Sequence, residues 1–420
     1  MKILYVSQYF PPEMGAPAAR VAELSCYWAQ QRHEVTVLTG FPNHPTGIVP
    51  PEYRRKFLRL VAREQTDGVN VVRTWLLPFP NRRSYERILN YSSFCLSAAV
   101  TGLFTEHPDV VIASSPQLLV ALSGWWLARR KGARFVFEVR DLWPESLAAV
   151  GVGNADSLVY RSLARIAGFL YRKADHVVVV TPAFKEHLVQ AWQVPAEKIS
   201  VVENGVETEL FSPTTEPKLR TELGGDGKFV VSYIGTMGNA HGLQTLVEAA
   251  AELQSSGAEI QFLLVGEGAE KKQLVSLVRS RGVTNVRFVD QQPRGVIPAY
   301  ICASDACVVL LKKSEVFKTV IPTKMLEFMS CARPVILGVD GQARQILEEA
   351  QAGIFIEPGN PSQLARAVLR LAGDGQLKQT LGRNGRRHIL QRFSRRQTAN
   401  AYLDLLSELL GKEKRSAAAA

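Results

Sequence analysis

The chain has 420 residues, 46% of them hydrophobic and 21% charged, and carries a formal net charge of +11. It is too long for one typical core, so two domains are expected, and the composition is that of an ordinary soluble globular protein. Charge of this size suits nucleic acid, an anionic membrane surface or phosphorylated substrates, and no aromatic-interleaved nucleic-acid motif supports the first of these.

Other classes fall away quickly. Cys26, Cys95, Cys302, Cys307 and Cys331 are odd in number, form no Cys-x-x-Cys pair and have no His cluster beside them. That predicts reduced, mostly buried thiols in a cytosolic protein. The opening apolar run 2–6 is too short for a secretory leader. The apolar segment 88–104 is broken by Asn90, Ser92, Ser93, Ser97 and Thr101 and falls short of a membrane span. There is no Asp-x-Asp and no metal-ligand spacing, so neither a metal nor a cofactor is expected.

Strand-length apolar runs alternate with helical patterns along the whole chain. The first half offers runs at 3–7, 34–39, 69–74, 110–113, 134–139 and 176–180. The second offers 229–234, 260–265, 286–289, 306–311, 334–337 and 354–356. This predicts an α/β protein of two doubly wound, Rossmann-like domains with parallel sheets. Val202-Glu203-Asn204-Gly205 and Pro213 mark the junction, which divides the chain into 1–205 and 206–394, followed by a last helix within 395–412. Ligands in such sheets bind at the strands' carboxyl ends, so a cleft between the domains is the expected site.

The first run leads through Tyr9-Phe10-Pro11-Pro12-Glu13 to Gly15 and a helix carrying Arg20. Gly15 permits close backbone approach to a ligand, and Arg20 is either a phosphate contact or a solvated side chain. No Gly-x-Gly-x-x-Gly is present, which disfavours a dinucleotide dehydrogenase. In 41–47, prolines flank Asn43-His44 and present His44 stiffly, either to an acceptor or in a structural role. Tyr53–Arg63 is rich in Arg and Lys, as are the flanks of 88–104, where Arg82, Arg83 and Arg87 lie, and the neighbourhood of Trp125 and Trp126. These basic stretches beside apolar surface together fit an anionic membrane, although each alone reads first as a solvated face. After the run 134–139 come Arg140 and Asp141. They are placed to meet a diphosphate and a substrate hydroxyl, or to pair with each other.

In the second half, Gly235-Thr236-Met237-Gly238-Asn239-Ala240-His241-Gly242 follows the first run and suits a diphosphate cradle, with His241 as a donor. Gly266-Glu267-Gly268 would line the same rim. Phe317-Lys318-Thr319-Val320-Ile321-Pro322-Thr323-Lys324-Met325-Leu326-Glu327 opens a helix with Pro322 in its first turn. The helix start and Lys324 suit phosphate, and the Glu327 carboxylate suits a ribose diol. Together they describe a nucleotide-sugar.

At these motifs the chain resembles, over essentially its whole length, the family 4 glycosyltransferases of GT-B architecture. It is most similar to bacterial colanic-acid, capsule and O-antigen transferases of the N-acetyl-L-fucosamine transferase type. The resemblance implies a retaining hexosyltransferase that takes a UDP-linked amino- or deoxy-hexose to a lipid-diphosphate-linked saccharide at the inner face of the plasma membrane. It also implies site residues. Glu327 matches the ribose-binding Glu, and the amides of Lys318, Thr319 and Val320 match the loop holding the distal phosphate and sugar. Gly15 and Gly238, with the neighbouring Asn239, match the donor-approaching turns, and Gln291 and Arg294 fall where the base is held. Three departures stand out. Thr319 replaces a common sugar-contacting Glu, Thr236 and His241 replace an Arg and a Lys, and Arg140-Asp141 replace a His. Charge stabilisation then shifts to Lys324, His241 and Arg20. A UDP-sugar epimerase and a non-catalytic nucleotide-sugar-binding subunit are the rival readings.

Overall fold

A computed structural model describes residues 1–44, 46–80, 83–146 and 157–417. Arg82, one of the expected surface cations, lies outside the described residues. The chain divides into two compact units, Met1–Asn204 with Arg396–Ala420, and Gly205–Arg395.

The first unit is built on eight strands: β1 (Lys2–Val6), β2 (Glu34–Gly40), β3 (Val61–Thr66), β4 (Val69–Thr74), β5 (Val110–Ser114), β6 (Arg134–Val139), β7 (His176–Val179) and β8 (Ile199–Val201). Their order is β3-β4-β2-β1-β5-β6-β7-β8. All pairs are parallel except β3 with β4. The all-parallel expectation therefore fails at this edge. Asp67 and Gly68 both take positive φ, 51° and 81°, and so close a two-residue hairpin between β3 and β4. Helices α1 (Ala16–Gln30), α2 (Pro51–Phe57), α3 (Ser84–Gly102) and α4 (Leu118–Lys131) follow β1, β2, β4 and β5 in turn. The last helix, Arg395–Ala417, returns to this unit. The buried Trp28 indole of α1 donates to the Ala399 carbonyl (3.1 Å), and its ring meets Tyr402 edge-on at 5.3 Å.

The second unit has six parallel strands: β9 (Phe229–Ile234), β10 (Ile260–Val265), β11 (Val286–Val289), β12 (Ala306–Leu310), β13 (Val335–Gly338) and β14 (Gly353–Phe355), in the order β11-β10-β9-β12-β13-β14. Alternate residues serve opposite faces. Val231 and Tyr233 of β9 join one buried cluster, while Val230 and Ile234 join the other. A parallel sheet covered on both sides requires such two-faced burial. The chain leaves β9 towards one edge and β12 towards the other, so the turn in strand order falls between them. The loops after β9 and β12 thus flank the crevice that such a reversal opens.

Candidate active site

The loop after β9 is shaped by backbone contact. A Cβ on Gly266 would fall 2.1 Å from the Gly235 carbonyl oxygen, and one on Gly268 would fall 2.3 Å from that of Met237. Met237 N–H donates to the Glu267 carbonyl (2.8 Å), and Gly235 N–H to that of Val265 (2.9 Å). Gly266 and Gly268 also hold φ of 143° and 157°, which a side chain would strain. These two glycines serve packing of the loop, and Glu267 pairs with Lys271.

Gly238 is different. Its φ of −112° suits any residue, and an added Cβ would meet nothing nearer than 3.7 Å. The fold does not ask for glycine here, and the position leaves room for a ligand to approach the backbone.

Lys324 comes up beneath this loop. Its helix is Thr323–Ser330, with Pro322 at the N-cap, one position earlier than expected. The Nζ lies 2.9 Å from the Tyr233 hydroxyl and 4.1 Å from the centre of that ring. Tyr233 donates its own proton to the Thr236 carbonyl (2.6 Å), leaving oxygen lone pairs for the ammonium. A Cβ on Gly235 would come within 2.6 Å of Nζ. Burial lowers the Lys324 pKa to about 7, against an opposing pull from Glu327. The site holds a cation that is barely solvated, a state that an incoming anion would relieve.

Glu327 lies one turn further along and is largely buried. Its Oε1 accepts from Arg294 Nη1 at 2.8 Å, and that guanidinium stands 4.9 Å from the Phe211 ring centre. Arg294 was expected at a nucleobase; the structure engages it in holding Glu327, because a largely buried carboxylate needs a partner. Gln291 is half-buried in the same β11-to-Arg294 connection.

Other expected contacts need correction. His241 is held near pKa 3 by burial and by Lys324. It is neutral, its Nδ1 sits 3.1 Å from the Gly238 carbonyl oxygen, and it supplies no charge to a phosphate. Asn239 accepts from Lys312 through its side-chain oxygen. The Lys318 amide is spent on the Glu315 carbonyl (3.2 Å) and its side chain on the Glu315 carboxylate (2.7 Å). Of the expected run of three amides, that of Lys318 is therefore already engaged. The Thr319 hydroxyl donates to the Val316 carbonyl (2.7 Å). Gly341 abuts Lys318 so closely that a Cβ would fall 2.1 Å from its carbonyl oxygen, which fixes this loop.

The strand ends of the first unit carry a second group. Arg20 is not a phosphate contact: it is fully buried and forms an ion pair with Glu138 (2.9 Å). It also donates to the carbonyls of Val202 and Glu203 and to Asn204 Oδ1. Burial alone would raise the Glu138 carboxyl. Arg20, Arg140 and the hydroxyls of Ser114 and Tyr5 hold it below the ordinary carboxylate range. Arg140 donates to the carbonyls of Ala16 (3.0 Å) and Pro17 (3.3 Å), beside Gly15. Gly15 holds φ 137°, and an added Cβ would meet only Pro17 Cδ, at 3.7 Å. Asp141 accepts from Trp143 Nε1 (3.2 Å) and from the Ser146 hydroxyl. Burial raises its pKa, which those donors oppose.

His44 is exposed, with its ring edge-on to Tyr9 at 5.3 Å. What fixes its loop is Glu13, which was quoted in the sequence only as part of a motif. The amides of Asn43 and His44 both donate to Glu13 Oε1 at 2.9 Å. Burial nevertheless raises the Glu13 carboxyl to about 7. Tyr233 and the Glu327–Arg294 pair also escaped the sequence reading, because nothing in local spacing couples residues 91 and 33 positions apart. Among the described residues, no group of three His, Cys, Asp or Glu could hold a metal ion.

Comparison with known proteins covers both units. Residues 15–205 match the model of the glycosyl transferase 4-like domain, and residues 216–388 match that of glycosyl transferases group 1. An Escherichia coli (strain K12) protein, named for colanic acid biosynthesis as glycosyl transferase WcaI, is 26% identical over 88% of this chain and 91% of its own length. The solved sucrose-phosphate synthase of Thermosynechococcus elongatus superposes with a TM-score of 0.77 at 21% identity, covering 98% of this chain and 99% of its own. Anabaena Alr3699/HepE, solved with UDP and glucose, gives a TM-score of 0.73 at 20% identity, with 97% and 99% covered. Both solved structures share the GT-B fold expected here.

Proposed function

The chain belongs to the family 4 glycosyltransferases, related to those of colanic-acid and O-antigen synthesis, and from this premise we propose that it transfers a hexose from a UDP-linked donor to a lipid-diphosphate-linked saccharide, with retention. The observation that carries the reading is Lys324, desolvated beneath the Gly235–Gly242 loop, with Glu327 one turn away and held by Arg294. A cation and a fixed carboxylate at this spacing suit a diphosphate and a ribose diol on one helix end. The UDP bound in the HepE structure and the polysaccharide role in the WcaI name point the same way.

In this reading, Lys324 meets the diphosphate, Glu327 accepts from the ribose hydroxyls, and Gly238 admits the donor to the backbone. The loop that carries Thr319 and Val320 is assigned to the distal phosphate and sugar. Charge at the diphosphate rests on Lys324 and helix amides, since His241 is neutral and Arg20 is consumed in its ion pair. His44 and Asp141 of the first unit are assigned to the acceptor. The acceptor hydroxyl attacks the anomeric carbon on the face the diphosphate leaves. The new C–O bond forms as the bond to the diphosphate breaks, and the acceptor proton passes to the departing phosphate oxygen. The protein's part is positioning and charge stabilisation.

Incubating the protein with a panel of UDP-sugars, with and without a lipid-diphosphate saccharide, tests this by mass spectrometry. A hexose added to the acceptor, with UDP released only when acceptor is present, is expected. An isomerised UDP-sugar without acceptor would make the protein an epimerase. UDP binding without turnover on any acceptor would make it a binding subunit.

A further inference from the structure

Helix α3 turns a mixed face to the protein: Phe94 and Ala98 are fully buried, and Asn90, Ser93, Ser97 and Thr101, spaced by three and four residues, lie beside them. Asn90 is fully buried and accepts from Gln8 (2.5 Å) while donating to the Leu77 carbonyl (2.7 Å). Ser93 accepts from the Leu77 amide (2.9 Å), Ser97 donates to the Trp75 carbonyl, and Thr101 bonds Thr74 (2.7 Å). The opposite face is apolar and exposed. Ile88, Leu89, Leu96, Val100 and Leu103 form a stripe that continues into Phe104, and Leu96 and Phe104 are 70% and 72% exposed. A surface helix of a soluble protein places its apolar stripe inward. This one buries Phe94 and Ala98 among its inward hydrogen bonds and still leaves a second apolar stripe bare.

Cations rim the stripe. Arg63 on β3 donates to the Phe104 carbonyl (3.2 Å), and Lys131 of α4 to those of Leu103 and Thr105 (3.1 and 2.7 Å), so both stand at the carboxyl end of the stripe. Arg83 is exposed at its amino end. Between β2 and β3, the exposed Arg54, Arg55 and Arg59 accompany Leu58 and Leu60, which are 81% and 57% exposed. On the same elements the opposing charges are Glu52, Glu64 and Glu86; Glu64 pairs with Lys56 and Arg73, and Glu86 accepts from the Arg83 amide. Among the described residues no helix is long and apolar enough to cross a membrane. The neighbouring Trp125, expected in the same surface, instead packs edge-on against Phe169 at 4.8 Å.

We propose that α3 and the β2–β3 connection form a docking surface for an anionic lipid bilayer, with α3 lying in the plane of the interface and its apolar stripe among the acyl chains. A bare apolar ridge with Arg and Lys at its two ends suits such a surface, and a purely apolar partner would leave those cations without an anion. The surface is independent of which sugar is moved, and it goes beyond the donor reading.

Flotation of the full chain with phosphatidylglycerol-containing vesicles, against pure phosphatidylcholine vesicles, tests it. Partition should favour the anionic vesicles by about tenfold or more and weaken steeply in about 0.5 M salt. Leu96→Glu with Val100→Glu should lose most of that binding while thermal midpoint and UDP affinity stay at wild-type values. Arg55→Glu with Arg59→Glu, on a different element, should weaken only the anionic preference. Equal partition onto both vesicle types, or wild-type partition of the Leu96/Val100 variant, overturns the proposal. So does a wild-type dimer that this variant dissociates without any change in vesicle binding, because a second copy would then cover the stripe.

Discussion

At the scale of residues, Lys324 is the side chain whose state the surroundings change most usefully. With its pKa near 7 in the free protein, the charged form falls about tenfold per pH unit above that value. UDP affinity should therefore decline as pH rises from 7 to 9, and Lys324→Gln should bind weakly without that slope; titration calorimetry across this range measures both. For stability the sign is opposite. The folded pKa lies below the 10.5 of a free lysine, so the folded state sheds its proton first, and Lys324 contributes a stability that rises with pH from 7 to 10.5. Gly238 and Gly268 separate ligand from fold. Gly238→Ala should melt within about 0.5 kcal/mol of wild type yet lose donor binding. Gly268→Ala, with the Met237 oxygen 2.3 Å from the new Cβ, should lose the fold of the loop itself. The charges and glycines of this site were legible in the sequence as a chemical inventory. Which glycine serves the backbone and which leaves space for a ligand was not, because that depends on the packing of two loops 31 positions apart.

Among elements, the strand-to-helix turns of the first unit show how motif and role part company. Arg20 reads locally as a cation one turn into a helix at a ligand-facing turn. Its side chain points into Glu138, which lies 118 positions away on β6 and is equally unremarkable in sequence. A buried pair that loses one partner is costly, so Arg20→Met should destabilise the first unit by about 3–5 kcal/mol, read by denaturant unfolding, and should not act through donor affinity. Glu13 makes the converse case. Its carboxyl is raised from 4.5 to about 7, so the folded state holds a proton that the unfolded state has released. Stability should fall as pH rises from 4.5 to 7, by on the order of 3 kcal/mol in full, and Glu13→Gln should remove that component. The same element-level blindness hid β3. Its run Val61–Thr66 is mostly polar, as an exposed edge strand is, although Asp67-Gly68 beside it is a strong hairpin signal.

For the whole molecule, twelve of the strand runs were visible as β-branched segments because parallel strands buried on both faces cannot hide their hydrophobicity. Strand order was implied rather than visible. It matters because the reversal between β9 and β12 brings the Gly235–Gly242 loop to the Lys324 helix. The central claim is that this helix end receives the nucleotide diphosphate of a sugar donor. Calorimetric titration of UDP into wild type, Lys324→Gln, Glu327→Gln and Gly238→Ala tests it most directly. The account predicts saturable UDP binding by the wild type. It predicts losses of about tenfold or more in Lys324→Gln and Gly238→Ala, and a smaller loss in Glu327→Gln that vanishes for an analogue lacking the ribose diol. Wild-type UDP affinity in all three folded variants would contradict it.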